Sequence, residues 1–167
     1  MRFQGRIYRA LNPIYAREPL SGHGAALYGG RFNPKGVPAL YASLAIMTAI
    51  REANQAGSLQ PTVIVSYDAD FDNIFDTRDE AALELFGIDS TSLGDAGWRD
   101  HVRNEGKSPT QIFAERLIEQ GQEGLLARSF AHGASETDLN LVIWTWGSSR
   151  SARLTLIDDE GRLTRRP

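Results

Sequence analysis

The chain has 167 residues, 41% of them apolar and 23% charged, with a net charge of −3 and no cysteine. That length calls for one domain, 1–167, with a core large enough to need no cross-link. The missing cysteines exclude disulfides and thiolate chemistry and leave a zinc site only His and carboxylate ligands, the acidic balance speaks against direct nucleic-acid binding, and no apolar run approaches the ~20 residues of a membrane span.

No apolar stretch follows Met1-Arg2-Phe3-Gln4-Gly5-Arg6, so no signal peptide is expected and the cytoplasm is the natural compartment. Phe3 to Ala10 alternates in polarity and reads as a first strand. Residues 11–36 are rich in glycine and hold Pro13, Pro19 and Pro34, which predicts a long irregular segment; such loops in compact domains tend to carry function. Val37 to Ala42 reads as a short strand. Ser43 is placed to cap a helix over 44–56, with Ile46, Ala49, Ile50 and Ala53 as its apolar face, Glu52 off that stripe and Gly57 as its stop.

Pro61 to Tyr67 is a β-branched run and the clearest strand, and Asn73 to Asp76 suggests a short one. Helices are expected over Arg78 to Phe86, closed by Gly87, and over Asp95 to Asn104, with Trp98, His101 and Val102 on one side. Ser108-Pro109-Thr110-Gln111 has Ser at the N-cap, Pro at the first helical position and Gln at the third, and opens a helix to about Gln120 that stops at Gly121. Gly124 to Arg128, Leu139 to Trp146 and Ala152 to Asp158 are β-like. Strands and helices do not alternate regularly, so the pattern is α+β rather than a doubly wound sheet.

The segment Gly29-Gly30-Arg31-Phe32-Asn33-Pro34-Lys35-Gly36 fits neither a helix nor a central strand. It reads as a shaped loop that offers backbone amides and a guanidinium to an anion. It lacks the Gly-Lys-Ser/Thr ending of a P-loop, and no G-x-G-x-x-G opens a helix. His23, His101 and His132 are scattered, and no G-x-S-x-G elbow exists. Glu52, Tyr41 and Ser129 each pass alone as ordinary helix, strand and turn residues; only as a set with Arg31 do they suggest a site. Asn140 to Trp144 reads as a core strand with Asn140 at its edge, and Trp98, Trp144 and Trp146 read as packing residues. The arginines near the end (Arg150, Arg153, Arg162, Arg165, Arg166) are too sparse for a polybasic tail.

The set resembles the RES-domain family, toxins of bacterial toxin–antitoxin pairs named for an Arg, a Glu and a Ser. The matching residues are Tyr8-Arg9, Ser21-Gly22-x-Gly24-Ala25, Gly29-Gly30-Arg31-Phe32-Asn33 with Gly36, Leu40-Tyr41-Ala42-Ser43, Glu52, Ser129 and Asn140-Leu141, over residues 5 to about 145. One departure is Arg128, where the family often has a proline before its serine. The resemblance implies an ADP-ribosyltransferase-like split β-sandwich with flanking helices and NAD in a central cleft as the substrate, without a metal. It implies Glu52, Arg31, Tyr41 and Ser129 as catalytic residues, and Gly30, Phe32, Asn33 and Ser43 beside Arg31 and Tyr41 at the bound NAD.

In that reading Glu52 stabilises the cationic ribose and holds a ribose hydroxyl, Arg31 holds a phosphate, Tyr41 orients the nicotinamide ribose and Ser129 the nicotinamide end. The expected partners are an antitoxin with an Xre-like helical DNA-binding part and a cellular protein acceptor, with no membrane. Transferases that modify arginine carry Glu or Gln two residues before the catalytic Glu; Ile50 stands there, which disfavours arginine as acceptor and leaves other side chains, water and phosphate open. The competing readings are a non-catalytic nucleotide- or protein-binding module and a metal-free hydrolase of another phosphorylated sugar.

Overall fold

The computed structural model describes residues 1–54 and 58–163. The expected helix stop at Gly57, and Arg165 and Arg166, lie outside the described residues. The strands are β1 (Phe3–Leu11), β2 (Leu40–Ser43), β3 (Val63–Phe71), β4 (Ile74–Asp76), β5 (Gly124–Arg128), β6 (Leu139–Ile143) and β7 (Ala152–Leu156). The α-helices are α1 (His23–Tyr28), α2 (Ile46–Ala53), α3 (Glu80–Glu84), α4 (Ser90–Leu93), α5 (Trp98–Glu105) and α6 (Pro109–Glu119). The fold is α+β, as the irregular element order predicts.

The strands form one sheet in the order β4-β5-β6-β2-β1-β3-β7. Only β4 and β5 run parallel; the other neighbours are antiparallel. β1 pairs with β3 along its whole length, from Phe3↔Phe71 to Leu11↔Val63, but meets β2 at the single register pair Tyr8↔Ser43. The sheet is therefore two wings joined at a thin seam.

Alternation along the strands separates two cores, because successive side chains point to opposite faces. Ile7, Tyr67, Phe71 and Leu154 from one wing meet Leu40, Leu126, Leu141 and Ile143 from the other in one buried cluster. The intervening residues Leu125, Ala127 and Val142 face the opposite way and pack with Phe113, Ala114 and Leu117 of α6 and with Leu83 of α3. Tyr67, Phe71, Leu125, Leu141 and Ile143 are fully enclosed.

Segment 11–36 is not wholly irregular. It holds a short 3₁₀ turn at Pro13–Tyr15 and the one-and-a-half-turn helix α1, which glycine-rich composition concealed. Gly29 ends α1 at φ +72°, a conformation that favours glycine. Ser43 does not cap α2: the N-cap is Ala45, without a side-chain cap, because the Ser43 hydroxyl is turned to a neighbouring strand. The apolar stripe of α2 is also displaced, with Thr48 and Ala49 buried and Ile46 exposed. By contrast the capping box at Ser108 and Gln111 forms as its sequence predicts.

A four-residue turn follows α1. The Gly30 amide donates to the Asn33 carbonyl at 2.9 Å, closing a loop with Arg31 and Phe32 at its tip. Side chains from distant elements take up its backbone groups. Gln111 Nε2 of α6 donates to the carbonyls of Gly30 (2.9 Å) and Asn33 (3.2 Å). The Phe32 amide donates to the Tyr41 hydroxyl at 3.0 Å, and the Trp144 indole donates to the Phe32 carbonyl at 2.9 Å. A Cβ on Gly30 would collide with the Tyr41 hydroxyl and Asn33 Oδ1, so the close approach requires glycine there.

The segment between β5 and β6 clamps α2. Asp138 accepts from the Thr48 hydroxyl at 2.5 Å and from the Ser135 amide and hydroxyl, and pairs with Arg51 at 3.1 Å. The hydrogen bonds from Thr48 and Ser135, with Arg51 adding its charge, hold the Asp138 carboxyl far below the ordinary carboxylate range.

Two outcomes follow from these braces. Gln111→Leu leaves two turn carbonyls and the Ser108 amide without their partner, so unfolding should cost about 1–3 kcal/mol less, a drop in Tm of roughly 2–10 °C; an unchanged Tm would mean the turn stands without α6. For Asp138, the folded carboxyl titrates below the unfolded one, so between the two the unfolded chain binds more protons and stability rises with pH. The Tm of Asp138→Asn should lie below that of the unsubstituted protein at pH 7, and the gap should close as pH falls below about 4. Circular dichroism melts at stepped pH check this; a gap that ignores pH removes the clamp's electrostatic role.

Candidate active site

A cavity of about 620 Å³ opens where the sheet splays at its seam. Its floor is a transverse row of the sheet: Tyr8 of β1 lies opposite Ser43 of β2, Ser43 opposite Asn140 of β6, and Asn140 opposite Ala127 of β5. All four line the cavity. The next residues on the same face, Tyr41 and Val142, are also register partners and also line it. Helices α2 and α5 and the 29–32 loop supply the walls. The volume lies within the range of small-molecule sites, roughly 300–1,000 Å³.

The lining is cationic. Among the described residues Arg31, Arg99 and Arg128 border it with one acid, Glu52, against a chain whose net charge is −3, while Arg9 of β1 turns its guanidinium to the Pro19 carbonyl beside Tyr67 on the opposite face. Such a cavity attracts anions in spite of the protein's overall sign. Arg31 is half-buried at the tip of its turn. Its Nη1 donates to the carbonyls of Leu93 (2.9 Å), the last residue of α4, and of Asp95 (2.7 Å) just beyond it. Its guanidinium lies 4.9 Å from the Phe130 ring centroid and 5.8 Å from that of Trp98. Burial and the neighbouring Arg99 lower its pKa, while Glu52, Asp95 and Tyr41 pull the other way. An arginine starts so high that it stays charged.

Glu52 sits in the last turn of α2, and its Oε1 accepts two hydrogen bonds. Ser129 Oγ donates at 2.5 Å, and Asn140 Nδ2 donates at 2.5 Å. The Ser43 hydroxyl in turn donates to Asn140 Oδ1 at 2.7 Å. Tyr41 donates from its hydroxyl to Asn33 Oδ1 at 2.7 Å, and desolvation drives its pKa well above that of a free phenol.

The residues singled out in the sequence thus converge, but not all in the expected way. Arg31, Phe32, Tyr41, Ser43, Glu52 and Gly30 line the cavity. Asn33 does not: it is fully buried, its Nδ2 donating to the carbonyls of Ala25 and Val37 at 2.9 Å each, so its polar atoms brace the loop rather than face a ligand. Ser129 stands behind Glu52, off the lining, and its hydroxyl is spent on that carboxylate.

Sequence reasoning missed three contributors. Asn140, read as a strand edge, reaches Glu52; its pairing with Ser43 follows only from strand register. Trp98, read as packing, borders the cavity beside Arg31, whereas Trp144 is indeed buried in the second core. Arg99, next to Trp98, had no local signal at all. Among the described residues no group of three or more His, Cys, Asp or Glu side chains could hold a metal ion, and no helix is long and apolar enough to cross a membrane.

Comparison with known proteins bears on the fold and the family. None of the curated protein sequences matches the chain. Among solved structures, the chain is similar to one in the crystal structure of the M. tuberculosis MbcT–MbcA toxin–antitoxin complex, with a TM-score of 0.63 and 22% identity, covering 95% of this chain and 84% of that one. At that identity the likeness speaks for the fold. The family itself comes from the sequence: the RES-domain model matches residues 6–166, a span that takes in Arg31, Glu52 and Ser129. The chain belongs to the RES-domain family.

Proposed function

We propose that this chain is the toxin of a bacterial toxin–antitoxin pair and that it cleaves NAD at the nicotinamide–ribose bond. The observation that carries the reading is the charge pattern of the cavity among the described residues: three arginines, and a single carboxylate whose Oε1 accepts from the neutral donors Ser129 and Asn140. NAD asks for that combination. Its pyrophosphate is anionic, and its ribose becomes cationic as the bond to nicotinamide breaks.

The electron pair of the breaking bond goes to the pyridine nitrogen, so nicotinamide leaves neutral and needs no general acid. Positive charge builds on the ribose carbon, as in glycoside cleavage. Glu52 stabilises that charge, and a fixed carboxylate does so without reorganising. Arg31, oriented by two carbonyls and two aromatic rings, holds a phosphate. Tyr41 offers its ring to the nicotinamide ribose, since its hydroxyl is taken by the loop; Gly30, Phe32 and Ser43 contribute cavity wall. Ser129 acts on Glu52 rather than on nicotinamide. The acceptor's oxygen or nitrogen then bonds to the ribose carbon and gives its proton to solvent. The acceptor is a protein side chain other than arginine, water or phosphate.

The cellular role is supported by membership of the RES-domain family and by the toxin–antitoxin complex among its structural relatives. The partner is then a protein antitoxin, for which the family resemblance suggests an Xre-like helical DNA-binding part. The site of action is the cytoplasm, where NAD is found.

Nicotinamide release from NAD, followed by proton NMR, is the direct test. The purified chain should release it, and Glu52→Gln should slow release by about 100-fold or more at unchanged Tm. No release by the unsubstituted chain would leave a nucleotide- or protein-binding module instead. Expression without an antitoxin should arrest growth. Arg31→Ala, which removes a phosphate contact and opens the Phe130–Trp98 slot, should relieve arrest and raise KM by on the order of 10-fold; persisting arrest at wild-type KM would remove Arg31 from the site. Labelled NAD in a lysate separates the acceptors, a discrete labelled protein marking transfer.

A further inference from the structure

We infer that Asn140 is a positioning residue for Glu52, with its amide oriented by Ser43. Ser43 and Asn140 are register partners on β2 and β6, so their side chains project from the same face of adjacent strands. The Ser43 hydroxyl donates to Asn140 Oδ1, and Asn140 Nδ2 donates to Glu52 Oε1. An amide has a donor end and an acceptor end. With its oxygen committed to Ser43, the NH₂ group is the end that meets the carboxylate. The reverse orientation would set two acceptor oxygens against each other.

The arrangement answers a mechanical problem. Glu52 hangs from the last turn of α2, and glutamate has three rotatable bonds. Asn140 stands on a central strand paired on both edges, with β2 and β5, and a site built on such a strand is held more precisely than one on a loop. Asn140 and Ser129 approach the same oxygen of Glu52, from the two strand ends that flank the β5–β6 connection. Both of these donors are neutral, so neither sets a positive charge of its own against the carboxylate. Hydrogen-bonded networks of this kind, here half-buried, rigidify a site. Asp138 completes the support by holding Thr48 and Arg51 on the same helix.

The kinetic part of this inference rests on the proposed NAD cleavage; the contact itself is readable without substrate. In ¹⁵N-labelled protein the Asn140 side-chain amide signal is identified by its loss in Asn140→Ala. One of its two protons should lie downfield of ordinary Asn amides, and Glu52→Ala should return it to the ordinary position. A signal that ignores Glu52→Ala overturns the inference. For nicotinamide release, Asn140→Ala should lower kcat roughly 10- to 100-fold with KM within about threefold, and Ser43→Ala should cause a smaller loss of the same kind. In a Glu52→Gln background Asn140→Ala should add less than about threefold, because its effect passes through the carboxylate. An undiminished loss in that background overturns the inference as well. Should Asn140→Ala not fold, the near-isosteric Asn140→Asp replaces the donor by an oxygen and should lose at least as much. If the signal responds to Glu52→Ala but the unsubstituted chain releases no nicotinamide, the NAD reading falls while the positioning contact stands.

Discussion

The tight turn from Gly30 to Asn33 is the constraint on which the site depends. Its polar backbone is taken up by Gln111 from α6, Tyr41 from β2 and Trp144 just past β6. A buried amide or carbonyl without a partner is costly, so each of these contacts ties the turn to a different part of the scaffold. The same bonds aim Arg31, which sits at the tip with its guanidinium between Phe130 and Trp98. Loop rigidity and site geometry therefore share one set of side chains. Asn33, Gln111 and Tyr41 look like ligand-binding types; most of their polar atoms are spent on holding the loop.

The second constraint is the seam. A sheet that stayed fully paired between β1 and β2 would leave no room for a cavity. With Tyr8↔Ser43 as the one register pair there, the wings splay and expose a row of residues that would otherwise be enclosed. The large shared core on the far face pays for that opening, since residues from both wings are buried there together. The polar floor of the cavity is thus stabilised by an apolar cluster on the opposite side of the same strands.

Electrostatics divides along the same line. Outside the cavity, Arg2 and Arg153 pair with Asp70, Arg6 with Asp68 and Arg78 with Asp76. At the cavity, Arg31 donates to main-chain carbonyls instead. A carbonyl orients a guanidinium but cancels none of its formal charge. The cavity keeps its positive potential because its arginines are fixed largely by dipoles and aromatic rings, and Arg128, which pairs with the exposed Glu136 at 3.4 Å, is the exception.

Local chemistry was legible in the sequence wherever it is local in space. The alternation of β1, the capping box of α6 and the strand at Gly124–Arg128 depend on neighbours within a few residues, and they form as read. The glycine-rich segment could be recognised as a shaped loop, and the RES-domain resemblance joined Arg31 to Glu52 and Ser129 across almost 100 residues of chain. What the sequence could not decide was which way each polar side chain spends its hydrogen bonds. Ser43 looks like a helix cap, Asn140 like a strand edge and Asn33 like a ligand contact, because each judgement uses only the chain beside it. Strand register sets Ser43 against Asn140 over a separation of 97 residues, and the seam and α2 bring Glu52 to both. Residue type determined which donors and acceptors exist; only the tertiary structure determined which of them meet, because strand register and packing bring together groups that lie far apart along the chain.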